Sequence, residues 1–183
     1  MATKTLVLYS SVEGQTLKII NYISDFIEGE KELFDVDLDP EINFEDYDNV
    51  LLGASIRYGH VRKSFLTFVN KYHVELDLLP HAFFLVCLTA RNPEKAKVEN
   101  NTYMQKFLQQ SSWKPQLMAV FAGALLYSRY NWWQTLLIQL IMKMTGGNTD
   151  KSKDIELTDW SSVKIFSRQF AKISRCSPCL SVD

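Results

Sequence analysis

The sequence predicts an α/β fold: five parallel strands in one sheet with helices on both faces, and a long aromatic and apolar helical insertion after the fifth strand. Three observations predict it. Strand-like and helix-like stretches alternate five times along the chain, the order that right-handed crossovers turn into a parallel sheet. Residues 82–88 are apolar without alternation, as a central strand covered on both faces must be. From Lys4 to Thr16 an apolar run gives way to small and hydroxyl residues and then to a helical pattern, which reads as strand, loop and helix.

The first strand stops at Ser10, and the loop after it carries hydroxyls at Ser10, Ser11 and Thr16 and a glycine at Gly14. It has neither the spaced glycines of a dinucleotide loop nor the Gly-Lys-Ser/Thr ending of a triphosphate loop. The hydroxyls, the close approach that Gly14 allows and the open N–H groups of the next helix still suit an anion. With no Lys or Arg in the loop, one phosphomonoester held by neutral donors fits better than a triphosphate with magnesium. Leu17, Ile19, Ile20, Ile23, Phe26 and Ile27 form the apolar stripe of the first helix, which Gly29 terminates.

Residues 33–38 alternate apolar with acidic, as a half-exposed strand near a sheet edge does. Residues 39–48 are acidic and contain Pro40, so they form a connection with at most a short helical turn. The third strand is 49–53, the loop 54–60 follows, and 63–72 is a helix with Phe65, Leu66, Phe68 and Val69 inward. The fourth strand ends in the loop 89–93, a helix runs from near Lys95 to Gln110, and 118–122 is the fifth strand. Asp159 caps a last helix over 160–173, with Val163, Phe166, Phe170 and Ile173 buried. Ligands of such sheets bind at the carboxyl ends of strands where the strand order reverses. The loops after the first, third and fourth strands meet that condition.

A chain of 183 residues fits one domain with a substantial core. Its composition, 46% hydrophobic and 22% charged, is that of a globular protein. The apolar run near the start is only a strand in length, which argues against a cleavable signal and for a folded body in the cytosol. Net charge is −1, but residues 1–48 hold three basic and twelve acidic groups, and the rest of the chain is correspondingly basic. That division permits an anionic lipid surface or a polycarboxylate substrate and argues against indiscriminate nucleic-acid binding; intermixing of the two parts in space would cancel it. Cys87 lies in an apolar run and reads as core. Cys176 and Cys179 form a CxxC with Pro178 inside, and without a second pair they do not complete a zinc site.

More chain than a connection requires separates Gly123 from Asp159. Read as a helix, 132–144 has polar positions mainly at Thr135, Gln139 and Lys143, four residues apart, and is otherwise broadly apolar. It is too short to span a bilayer. Two placements suit it. It lies in a membrane interface, with Trp132, Trp133, Tyr127 and Tyr130 at headgroup depth and Arg129, Lys143, Lys151 and Lys153 towards anionic lipid; or it packs on the protein body or covers a second copy in a homo-oligomer.

Several stretches together are similar to one family. They are the run from Gly53 to His60, the run from Ala90 to Lys95, Ala122-Gly-Ala124 with Tyr127 and Arg129-Tyr130, the run from Leu140 to Gly147, and Thr158-Asp-Trp160. On these the chain resembles the flavodoxin-like, menaquinone-dependent protoporphyrinogen oxidases of Gram-negative bacteria, over nearly its whole length. The resemblance implies a flavodoxin-like FMN-binding domain over 1–175, with the insertion at about 124–153; the tail after Ile173 departs from the family pattern, and 176–183 reads as a flexible end. It implies removal of six electrons from protoporphyrinogen IX in haem synthesis, passed to menaquinone or another membrane quinone at the cytoplasmic side of the inner membrane. Carried onto this sequence, it implies that Ser10, Ser11, Val12, Glu13, Gly14, Gln15 and Thr16 surround the FMN phosphate. Ala54, Ser55, Ile56, Arg57, Tyr58 and Gly59 then flank the flavin ring with Thr89, Ala90 and Arg91.

The flavin carries the hydride chemistry, so the protein needs only to position a C–H donor and tune the ring. His60, beside the flavin loop, is the one histidine placed to accept a proton; His73 and His81 read as structural. Tyr58 offers one aromatic wall, while Thr89-Ala90-Arg91 offers none, which leaves a ring face open to a large planar substrate. Arg57, Arg91 and Arg129 are candidates to pair with its propionates, with Tyr127 and Tyr130 beside them. An FMN-dependent NAD(P)H:quinone reductase and an electron-carrying flavodoxin are the competing readings. The apolar insertion and the basic later chain count against the carrier.

Overall fold

The computed structural model describes residues 3–125 and 154–175. Strand β1 (Lys4–Ser10) is an interior strand of the sheet, with Leu6, Val7 and Leu8 fully buried. It pairs in parallel with β2 (Glu30–Asp35) on one side and β3 (Asn49–Ser55) on the other. Beyond β3 lie β4 (His81–Val86) and β5 (Leu117–Phe121), giving the parallel order β2-β1-β3-β4-β5. The chain leaves β1 towards one edge and returns past it to β3. The switch point therefore lies between the carboxyl ends of β1 and β3.

Alternation along each strand divides the apolar side chains between two cores. Leu6, Leu8, Val50, Leu52, Phe83 and Leu85 face helices α2 (Lys63–Lys71), α3 (His73–Leu78) and α5 (Thr102–Gln110), meeting Phe65, Phe68, Leu76 and Phe107. Val7, Leu51, Ala82 and Phe84 face α1 (Gln15–Ser24) and α6 (Trp160–Arg175), meeting Ile19, Ile23, Val163, Phe166 and Phe170. Burial on both faces is why β4 reads as an unbroken apolar run.

Element edges move where local hydrogen bonds compete with the pattern. Helix α1 stops at Ser24, five residues before Gly29, because the chain tightens into i−3 bonds from Phe26 N to Ile23 O and from Ile27 N to Ser24 O. The second strand begins three residues earlier than expected and ends at Asp35, whose carboxylate accepts from Asp37 N and starts a 3-10 turn over Val36–Leu38. Strand β3 extends to Ser55, so Ala54 and Ser55 belong to the sheet rather than to a loop. The single helix expected from Lys95 to Gln110 is two, α4 (Pro93–Ala96) and α5, separated by a 3-10 turn at Val98–Asn100. Buried Asn101 makes the break: its Nδ2 donates to Lys95 O and its Oδ1 accepts from Tyr103 N and Met104 N.

The ends of the insertion are tied together. Short strands β6 (Ala124–Leu125) and β7 (Ile155–Glu156) pair antiparallel, and Leu157 N donates to Gly123 O. Tyr127, Arg129, Tyr130, the stretch 132–144 and the tail with Cys176 and Cys179 lie outside the described residues. Among the described residues no helix is long and apolar enough to cross a membrane.

Candidate functional site

At the carboxyl ends of β1, β3 and β4 the structure forms a cavity of about 300 Å³, within the range of small-ligand sites. Ser11, Val12, Glu13, Gln15 and Thr16 line it from the first loop, and Ser55, Ile56, Arg57, Tyr58 and Gly59 from the third-strand side. Thr89 lines it after β4.

The first loop is shaped for an anion. Gly14 caps α1 at φ 88°, a left-handed backbone that suits glycine, and no side chain satisfies the first N–H groups of the helix. Ser11 Oγ accepts from Gly14 N at 3.2 Å, which closes the turn. Thr16 Oγ1, at the first turn of α1, is buried and has no hydrogen-bond partner. A buried hydroxyl without a partner is costly, and a phosphate oxygen at this helix end satisfies it. The residues therefore fit a phosphomonoester held by neutral donors.

Gln15 ties this loop to the base of the insertion. Its Nε2 donates to Glu156 Oε1 at 3.0 Å and to Thr158 Oγ1 at 2.9 Å, and Thr158 in turn donates to Ala122 O at 2.8 Å. Lys18 Nζ sits 2.7 Å from Glu156 Oε2. That ammonium holds the Glu156 carboxyl below its ordinary pKa, against the opposing effect of burial.

The other end of the cavity is apolar. Ile56, Val86, Cys87, Leu88 and Ala124 form its floor, and Tyr103 enters from α5. Arg57 and His60 exchange backbone hydrogen bonds around Tyr58 and Gly59, which have φ of 51° and 80°. Two positive φ values make this a tight turn of type I′. Arg57 Nη1 reaches back to Glu13 Oε1 at 2.9 Å and bridges the first and third loops, while its guanidinium lies 5.3 Å from the Tyr58 ring centroid.

Five residues expected at the site stand elsewhere. Ser10 Oγ is buried and donates to Asp37 Oδ2 at 2.9 Å, joining Arg62 and Ser64 on that carboxylate. Ala54 and Ala90 belong to the core, since the strand pleat and the 3-10 turn Leu88–Arg91 point them inward. Arg91 ends that turn outside the cavity lining. His60 faces α5, its Nδ1 2.9 Å from Lys106 Nζ, so it does not serve the cavity as a base. Gly14 caps the helix through its left-handed backbone, and a Cβ there would meet no protein atom within 4 Å, so the space beside it is open to a ligand.

Sequence reasoning missed Val86, Cys87, Leu88, Tyr103, Gly123 and Ala124 in the lining. Cys87 was legible as the carboxyl end of a central strand, level with the site loops. Tyr103 was hidden by the unrecognised cap at Asn101, which sets the start of α5 and hence the direction of Tyr103.

The flavodoxin domain family model matches residues 6–152. A protoporphyrinogen IX dehydrogenase [quinone] of Leishmania major is 46% identical over 179 residues, covering 96% of this chain and 78% of that protein. One from Escherichia coli K12 is 43% identical over 174 residues, covering 93% of this chain and 96% of the relative. The crystal structure of oxidised flavodoxin 1 from Bacillus cereus superposes with a TM-score of 0.51 at 18% identity, covering 96% of this chain and 99% of that one. The last match bears on fold alone and agrees with the five-stranded parallel sheet. The chain belongs to the flavodoxin-domain family that includes the quinone-dependent protoporphyrinogen IX dehydrogenases.

Proposed function

We propose that this chain is an FMN-dependent dehydrogenase that oxidises protoporphyrinogen IX and delivers the electrons to a quinone. The observation that carries the reading is the pairing, in one cavity, of a phosphate seat at Thr16 with an apolar slot beside an exposed tyrosine. Relatives at 43% and 46% identity carry the name of that activity. When bound, FMN supplies hydride acceptance and can be reoxidised by quinone.

The chain's own residues supply the holding. Thr16, the N–H groups at the start of α1 and the Ser11–Gly14 turn seat the phosphate. Ile56, Val86 and Leu88 exclude water from the buried side of the slot, with Thr89 at its edge. Tyr58, 64% exposed, forms the outer wall without closing it. No histidine is among the described lining residues, so the chain contributes positioning rather than a histidine base.

Menaquinone as acceptor, a place in haem synthesis, and peripheral attachment at the cytoplasmic face of the inner membrane belong to the same proposal. The support for attachment is the broadly apolar stretch 132–144, with Trp132 and Trp133 at its start and Tyr and basic residues within and beside it. FMN-loaded protein given protoporphyrinogen IX and a menaquinone analogue without oxygen is expected to develop porphyrin fluorescence. A rise no faster than the uncatalysed background rejects the reading, and rapid bleaching of the flavin by NADPH moves the protein to the nicotinamide-dependent reductases.

A further inference from the structure

Arg57 is the one cation among the described residues lining the cavity, and its partner there is Glu13. The contact uses one guanidinium nitrogen, Nη1, and one carboxylate oxygen. A guanidinium meets a carboxylate best through two parallel hydrogen bonds, so the resident pair leaves the stronger arrangement unused. Both side chains are about one-third open to solvent, at 30% for Arg57 and 28% for Glu13. Ion pairs in such settings contribute little net stability, and exchanging one carboxylate for another leaves the guanidinium still neutralised.

The neighbouring residue carries an independent sign. Tyr58 has a left-handed backbone at φ 51°, unusual for a bulky side chain, and the residue is 64% exposed at the cavity rim. Glycine or asparagine would fit that backbone with less strain, so the position retains an aromatic ring at a cost to the fold. The Arg57 guanidinium lies against this ring, 5.3 Å from its centroid, which orients the cation and the aromatic face as one unit. The turn is braced from behind by the Arg57–His60 backbone pair and by Tyr103, whose ring lies 3.9 Å from the Cβ position of Gly59.

We propose that Arg57 and Tyr58 form the docking edge for a planar apolar molecule bearing carboxylate arms, and that Glu13 is an internal placeholder displaced from Arg57 by one of those arms. The inference rests on the dehydrogenase reading above and specifies how its tetrapyrrole substrate is recognised. The Tyr58 ring takes the flat body and Arg57 takes the arm through a forked pair. Glu13 keeps the guanidinium oriented between turnovers and disfavours anions too small to reach the ring as well. The phosphate seat is separate, because it is built from neutral donors at Thr16 and the start of α1.

The test uses the full chain saturated with FMN, monitored by flavin absorbance, and titrated with protoporphyrin IX or its uncharged dimethyl ester. The wild-type protein is expected to bind the diacid more tightly than the diester. Glu13→Gln removes the competitor and is expected to tighten the diacid about three- to fivefold while leaving the diester unchanged. Arg57→Gln is expected to weaken the diacid about tenfold, and adding Glu13→Gln to it changes nothing further. Equal responses of diacid and diester, or an unaltered diacid affinity in Glu13→Gln, overturn the placeholder. If wild-type protein nevertheless turns over protoporphyrinogen, the dehydrogenase reading stands without it; absence of both porphyrin binding and turnover removes the two together.

Discussion

Thr16 lies in the first turn of α1 with its methyl towards Gly53 and its hydroxyl buried without a partner. That hydroxyl costs the free protein about 1–3 kcal/mol of desolvation, which a ligand oxygen recovers. Thr16→Val is therefore expected to weaken FMN binding about tenfold, roughly 1.4 kcal/mol, without lowering the thermal midpoint of the cofactor-free protein. Quenching of FMN fluorescence on titration gives the affinity; an unchanged dissociation constant would mean the hydroxyl does not meet the phosphate. Ser10 behaves in the opposite way. Its side chain is already committed to Asp37, so residue type and proximity to the loop suggested a ligand where the pleat of β1 supplies a structural hydrogen bond.

At the scale of elements, the returning segment after the insertion matters most. Leu157 and Thr158 bond to the chain just beyond β5, and Glu156 and Thr158 bond to Gln15 at the start of α1. The base of the insertion thus shares hydrogen bonds with the phosphate loop. Glu156 is held below its ordinary pKa chiefly by Lys18, so the sign of its linkage is fixed. It adds stability above the unfolded carboxylate value of about 4.3 and loses that contribution as pH falls through its lower folded value. Asp159, lowered mainly by the Ser162 hydroxyl, acts in the same sense. Glu156→Gln is expected to lower the thermal midpoint at neutral pH and to converge with wild type in acid. Thermal melts from pH 7 down to pH 3 check this, and parallel curves would dismiss the Lys18–Glu156 link as a contributor.

Across the whole molecule, the acidic first part of the chain and the basic remainder are not kept apart. Among the described residues, Lys18–Glu156, Arg57–Glu13, Arg62–Asp37 and Arg175–Glu28 each join one part to the other. The last three set a later-chain cation beside an early carboxylate and offset part of the field that a count along the sequence suggests, so the proposed membrane attachment rests on the apolar insertion more than on polarity. Deleting 132–144 is expected to move the protein from the membrane to the soluble fraction and to reduce turnover with a lipid-dissolved quinone, while FMN binding is retained. Partitioning that does not change after cell fractionation would give that stretch a role within the protein or between copies.

Sequence periodicity alone determined the α/β class and the approximate order of the elements, because a buried parallel strand and an amphipathic helix leave different spacings of apolar residues. It also marked the loops after β1, β3 and β4, since a doubly wound sheet opens at those ends whatever their side chains. Only the tertiary structure decided which residues of those loops face the cavity. A one-residue change in where a strand ends reverses the direction of a side chain, and this sent Ala54 into the core while Ser55 lines the site. Partners distant in sequence settled the rest: Asp37 claims Ser10, Lys106 draws away His60, and Asn101 starts the helix that brings in Tyr103. Such pairings depend on which elements pack together, and local spacing carries no record of them.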